Sequence, residues 1–85
     1  MSPSSELLSF EEFGERLLVE LELGVMSFGD ETRLVDDLGF DSVLTFELLL
    51  VVEEWIGVML PDALIGQFRT MGDVYALYRT RTPGA

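Results

Sequence analysis

Ser42 and the residues around it are the part of this chain with chemistry to offer. The serine stands in the run Asp36-Asp37-Leu38-Gly39-Phe40-Asp41-Ser42-Val43, where a polar segment containing a glycine gives way to a strongly apolar helical stretch. A hydroxyl at such a junction is presented at a helix N-terminus, outside the core, where a group can be attached to it. A phosphate there is favoured twice: the first backbone N–H groups of a helix have no intrahelical partner, and the helix dipole favours negative charge at that end. The site therefore suits a phosphodiester on Ser42, with Asp41 as its immediate neighbour. The same two residues also read as a plain helix cap, because Asp and Ser are preferred there.

Other arrangements of reactive residues fail on geometry. Asp36-Asp37 and Glu53-Glu54 are adjacent carboxylates, which on a helix point in different directions and do not converge as a general acid and base. The chain has no histidine, so the commonest general base is missing, and no cysteine, so disulfides and thiolate metal sites are excluded. A calcium loop needs a glycine at its sixth position and a glutamate at its twelfth. Counted from Asp30, these positions hold Val35 and Asp41; counted from Asp36, Leu38 and Phe40 occupy ligand positions. No metal site and no catalytic residue is expected.

The match to a known pattern extends well beyond the serine. Glu47 follows it by five residues, Glu53-Glu54 come next, and then Leu60-Pro61-Asp62 and Thr70-Met71-Gly72-Asp73-Val74. With Asp-Leu-Gly-x-Asp-Ser-Val in place, the chain resembles the acyl carrier proteins over residues 8 to 80. The resemblance implies phosphopantetheine on Ser42, acyl intermediates held on it as thioesters, and no catalysis by the protein itself. It also implies a small all-α four-helix bundle, three main helices and one short. The expected partners are a phosphopantetheinyl transferase and the acyl-loading, condensing or tailoring enzymes of the pathway.

The chain departs from the fatty-acid pattern in three places. Leu44 stands where an acid is common, Ala63-Leu64-Ile65-Gly66-Gln67 in the short helix carries no charge, and Trp55 replaces a position that is often polar. These departures point to polyketide or other secondary-metabolite assembly. Gly-Phe-Asp-Ser is closer to the acyl type than to the Gly-Gly-His-Ser or Gly-Gly-Asp-Ser of peptide-synthetase carriers. A peptidyl or aminoacyl carrier stays open as an alternative, as does a helical interaction module that leaves Ser42 unmodified.

Sixteen acidic and five basic residues, all five arginine, leave a net charge of −11. Such a chain repels phosphate backbones and anionic lipid, so neither nucleic acid nor membrane is an expected partner. Partners should present basic patches and be steered by charge. The 85 residues make one domain with a modest core, expected to be a free-standing monomer. Met1-Ser2-Pro3-Ser4-Ser5-Glu6 has no basic region with an apolar stretch behind it. The longest apolar run, Leu48 to Val52, is too short to cross a bilayer. A cytoplasmic location is expected.

The elements that must position Ser42 follow from periodicity. Residues 1 to 7 read as a tail. Ser9 and Glu12 fit a capping box for a first helix with Phe10, Phe13, Leu17 and Leu21 on one stripe, ending near Leu23 with Gly24 as its stop. A long connection over 24–40 is pinned to the core by Val25, Phe28, Leu34, Val35 and Leu38. The second helix runs from Asp41 or Ser42 to Ile56, with Thr45, Leu48, Leu49, Val52 and Ile56 facing the core. On it, Val43, Glu47, Leu50 and Glu54 form a separate stripe beside Ser42 that, with Leu44, is expected to dock partners. Gly57 and Pro61 end this helix, Ala63 to Gln67 make a short turn anchored by Phe68, and Thr70 and Asp73 cap a last helix ending near Arg79 to Arg81. Residues 82 to 85 read as a second tail.

Overall fold

The computed structural model describes residues 7–24 and 26–81. Three α-helices and one 3-10 helix follow in order: α1 (Phe10–Glu20), α2 (Ser42–Ile56), the 3-10 helix (Asp62–Gln67) and α3 (Met71–Arg81). Among the described residues the β content is one isolated bridge, Arg33 to Thr70. This is the expected all-α bundle. Of the expected tails, residues 1–6 and 82–85 lie outside the described residues, as does Val25, while Leu7 is half-buried against the core.

The capping box of α1 forms as its sequence dictates. Ser9 Oγ accepts from the Glu12 N–H at 3.2 Å, and Glu12 Oε1 accepts from the Ser9 N–H at 3.2 Å. Phe13, Leu17, Leu18 and Leu21 are buried, while Phe10 is half-buried. The helix stops at Glu20, earlier than the expected Leu23. The Glu22 N–H bonds to the Val19 carbonyl at 3.0 Å and the Leu23 N–H to the Leu18 carbonyl at 2.9 Å, with Glu22 at φ 60. This is the closing wrap usually built on glycine, made here on a glutamate. In a continued helix Leu23 would lie about 200° round the axis from Leu21, on the polar side. The early stop instead turns it back against the core.

The segment between α1 and α2 contains a single helical turn. The Asp37 and Leu38 N–H groups bond to the Arg33 carbonyl at 3.0 and 3.1 Å, and the Asp37 carboxylate accepts the Arg33 N–H at 2.8 Å. Leu34 and Leu38, four apart on that turn, both point inward and are buried. Val35, expected in the core, is thereby rotated out and is 61% exposed. Phe28 is half-buried as expected, and Phe40, not anticipated as core, is buried.

Three backbone hydrogen bonds fasten this segment to the start of α3. Leu34 N–H meets the Arg69 carbonyl at 2.9 Å, Met71 N–H the Thr32 carbonyl at 3.0 Å, and Gly72 N–H the Asp30 carbonyl at 2.9 Å. The loop carbonyls thus satisfy helix N-terminal donors that otherwise have no partner. Thr70 and Asp73 complete the cap reciprocally, each side chain accepting the other's N–H at 3.1 Å.

The core is built around Phe13. Its ring lies 5.6 Å from Trp55, 5.3 Å from Tyr75 and 4.7 Å from Tyr78, centroid to centroid. The two tyrosines also hold the entry to α1: the Leu8 N–H donates to Tyr78 Oη at 3.0 Å, and Tyr75 Oη donates to the Leu8 carbonyl at 2.7 Å. Leu48 and Val52 of α2 and Met71 and Val74 of α3 are fully buried, Met71 having been read only as part of the cap.

Beyond α2, Gly57 takes the left-handed conformation at φ 76 and its N–H bonds to the Glu53 carbonyl at 2.8 Å. Glu53 is not a merely solvated neighbour of Glu54. Its carboxylate accepts the Leu60 N–H at 2.7 Å and closes the turn, which brings Leu60 into the core. The 3-10 helix starts at Asp62, one residue earlier than expected, so its first turn does carry an acid. Phe68 anchors it, buried as expected.

Candidate functional site

Each residue of the run before Ser42 has a separate mechanical role. Leu38 and Phe40 are buried, and Gly39 between them adopts φ 76, a left-handed turn that a side chain would resist. Its N–H bonds to the Val35 carbonyl at 3.1 Å, and the Phe40 N–H to the Leu34 carbonyl at 2.9 Å. The chain is therefore anchored on both sides of a sharp bend just before α2. Asp41 is the N-cap. Its backbone is extended, its Oδ1 accepts the Leu44 N–H at 2.8 Å, and its carbonyl accepts both the Thr45 N–H at 2.9 Å and the Thr45 hydroxyl at 2.8 Å.

With Asp41 as the cap, Ser42 becomes the first helical residue and is not itself needed for capping. Its side chain is exposed, and its hydroxyl has no hydrogen-bond partner among the described residues. The hydroxyl is thus held on a rigid mount and remains chemically unused.

A groove of about 770 Å³ opens beside Ser42. Its walls come from four places: Arg33, Val35, Asp36 and Phe40 of the first connection; Asp41, Ser42 and Thr45 at the start of α2; Ile65 and Gly66 of the 3-10 helix; and Phe68, Arg69, Thr70 and Asp73 at the entry to α3. The volume lies within the range of about 300–1,000 Å³ typical of small-molecule sites. A covalent arm leaving Ser42 has room to lie against the protein there. Among the described residues no group of side chains could hold a metal ion.

The docking stripe expected on α2 is exposed where sequence periodicity put it. Val43 is 66% and Leu50 47% exposed, and Glu47 and Glu54 lie open beside them. Phe46, 42% exposed, extends the same ridge and was missed. Its signal was available, since Val43, Phe46 and Leu50 follow i, i+3, i+7 spacing. Leu44 differs from the others, being half-buried and packed against the core rather than standing free. No helix among the described residues is long and apolar enough to cross a membrane.

Comparison with known proteins agrees with this geometry. The family model for a phosphopantetheine attachment site matches residues 15–78. An acyl carrier protein of Onion yellows phytoplasma is 30% identical over 74 residues, which cover 87% of this chain and 97% of that protein. One from Treponema pallidum subsp. pallidum is 32% identical over 62 residues, 73% of this chain and 80% of that one. One from Wolinella succinogenes is 30% identical over 71 residues, with coverage of 84% and 93%. The chain belongs to the acyl carrier protein family: it is a carrier bearing covalent phosphopantetheine, not a catalyst.

Proposed function

We propose that Ser42 is the residue to which the phosphopantetheine is joined, and that the protein carries acyl intermediates for polyketide, fatty-acid-like or other secondary-metabolite assembly. The observation that carries the assignment is the Ser42 hydroxyl itself. It is exposed and unpartnered at the first position of a helix whose capping is done by Asp41. The arm supplies the thiol on which the acyl group rides. The protein's own residues supply a fixed point of attachment and an address.

The address is the ridge of Val43, Phe46 and Leu50 flanked by Glu47 and Glu54, with Asp41 at its end. Exposed apolar residues rimmed by charge suit transient contact with a basic enzyme surface. The transferase that loads Ser42 and the enzymes that charge or relieve the arm would share this face. Leu44 and Trp55, where an acid or a polar residue is common in fatty-acid carriers, support a specialised pathway. A single carrier unit acting as a monomer in the cytoplasm belongs to the same reading.

Intact mass spectrometry tests the assignment. The full chain, incubated with coenzyme A and a broad-specificity phosphopantetheinyl transferase, should gain one phosphopantetheine. Ser42→Ala should gain none while keeping its helical circular dichroism. A wild type that is never modified, or a Ser42→Ala chain that still is, would overturn it.

A further inference from the structure

Two of the five arginines, Arg33 and Arg69, line the groove that opens at Ser42. The Arg33 guanidinium is already engaged, its Nη1 lying 3.1 Å from Asp36 Oδ2. The Arg69 guanidinium has no ion pair or hydrogen bond among the described residues, and the residue is exposed. Its backbone is held firmly: the N–H donates to the Gln67 carbonyl at 3.1 Å and to Asp73 Oδ2 at 3.2 Å, and the carbonyl accepts the Leu34 N–H at 2.9 Å. The three carboxylates of the lining each have a donor already. Asp36 has Arg33, Asp41 has the Leu44 N–H, and Asp73 has the N–H groups of Arg69 and Thr70. Of the two cations in the lining, Arg69 is the one not paired with a carboxylate and so is open to an anion on Ser42, while Asp41 and Asp73, whose donors are neutral amides, keep their charge.

We propose that Arg69 holds the phosphodiester of the arm on Ser42, and so lays the arm along the groove across Phe40, Ile65 and Phe68 instead of leaving it free in solvent. The inference rests on the reading of Ser42 as the attachment residue. Tethering at Ser42 delivers the phosphodiester's charge to this groove whatever acyl group the arm carries. A guanidinium suits the contact because its planar fork presents paired donors to two phosphate oxygens. Because Arg69 is exposed, salt screens the contact. The docked arm is consequently released as ionic strength rises, and a partner that offers its own cations at the mouth can take it over. Arg69 is a positioning residue: it sets where the arm waits, not how the thioester reacts.

The test compares isotope-labelled apo and holo forms of the full chain by NMR. On conversion to holo, the Arg69 Nε–H and the backbone amides of Phe40, Ile65 and Thr70 should shift. These shifts, with the displacement of the phosphodiester ³¹P resonance, should be lost in Arg69→Gln and at high salt, and partly kept in Arg69→Lys. Arg16→Gln removes the same charge at a groove beside Trp55 and should leave them intact. An arm on Ser42 whose shifts stay confined to residues 41–43, identical in wild type and Arg69→Gln, overturns the inference alone. An arm joined to another residue overturns the attachment reading and the inference with it. Should Arg69→Gln fail to fold, an Arg69 Nε–H unmoved between wild-type apo and holo forms overturns it equally.

Discussion

Alanine at Leu48 and at Leu50 separates the core of α2 from its exposed ridge within a single turn. Leu48 is 0% exposed, so its truncation removes buried atoms and leaves a cavity. Such Leu→Ala changes cost about 2–5 kcal/mol. A chain of 85 residues has a total stability of about 4–13 kcal/mol. The loss is a large share of that. At about 4–8 °C per kcal/mol for a domain of this size, a loss of ~3 kcal/mol lowers the melting temperature by roughly 12–24 °C. Leu50 is 47% exposed. Full burial of a leucine is worth about 1.5–3 kcal/mol, so about half of that, roughly 1 kcal/mol, is at stake. No cavity forms at an open surface, and alanine's slightly better helix propensity offsets part of the loss. Leu50→Ala should therefore melt within about 8 °C of wild type. Far-UV circular dichroism melts give the stabilities. The initial rate of phosphopantetheine transfer, measured well below both melting temperatures, gives the partner contact. Leu50→Ala should keep the fold and slow transfer, and Leu48→Ala should do the reverse. A Leu50→Ala chain that melts as low as Leu48→Ala, or that is loaded at the wild-type rate, refutes the docking ridge.

Asp41 combines a cap with a charge, and two substitutions separate them. Asp41→Ala should lose about 0.5–2 kcal/mol in urea denaturation, while Asp41→Asn, an equally good cap, should stay within a few tenths of wild type. Both should weaken the salt dependence of association with the transferase, as rim charges act mainly on encounter. Gly72→Ala should destabilise although alanine favours helix by about 1 kcal/mol. A Cβ there would lie 2.6 Å from the Asp30 carbonyl oxygen, a backbone atom that also accepts the Gly72 N–H. Amide exchange at residues 71 and 72 should accelerate, and Gly66→Ala, with open space around its Cβ, should show no such effect.

What could be read from the order of residues is what depends on near neighbours. Ser9 with Glu12 and Thr70 with Asp73 form reciprocal caps because each pair closes its hydrogen bonds within one turn. The phase of α2 was legible over its 15 residues: Thr45, Leu48, Leu49, Val52 and Ile56 are buried, and Val43 and Leu50 are not. The start of α2 at Asp41 or Ser42 was legible too, from the glycine-containing segment and the two cap-type residues; the left-handed turn at Gly39 and the choice of Asp41 as cap came from the structure. The end of α1 was not, because the wrap is made on Glu22, a residue type that carries no stop signal. Nor was the orientation of Val35, which a helical turn too short to show a period rotates away from Leu34 and Leu38.

The sequence by itself determined the order of the helices, the reciprocal caps of α1 and α3, the core face of α2 and the place of Ser42 at a helix start, while the structure gave the cap to Asp41 and left the serine free. Only the tertiary structure decided what stands beside that serine. The bonds from the Gly72 and Met71 N–H groups to the Asp30 and Thr32 carbonyls, and from the Leu34 N–H to the Arg69 carbonyl, join parts far apart in the chain and bring Arg69 to the groove of Ser42. No local periodicity encodes such pairings. The first two form because the N-terminal donors of α3 must find acceptors once the helices have packed, and the acceptors within reach belong to the loop folded against them; the third satisfies the buried Leu34 N–H in return.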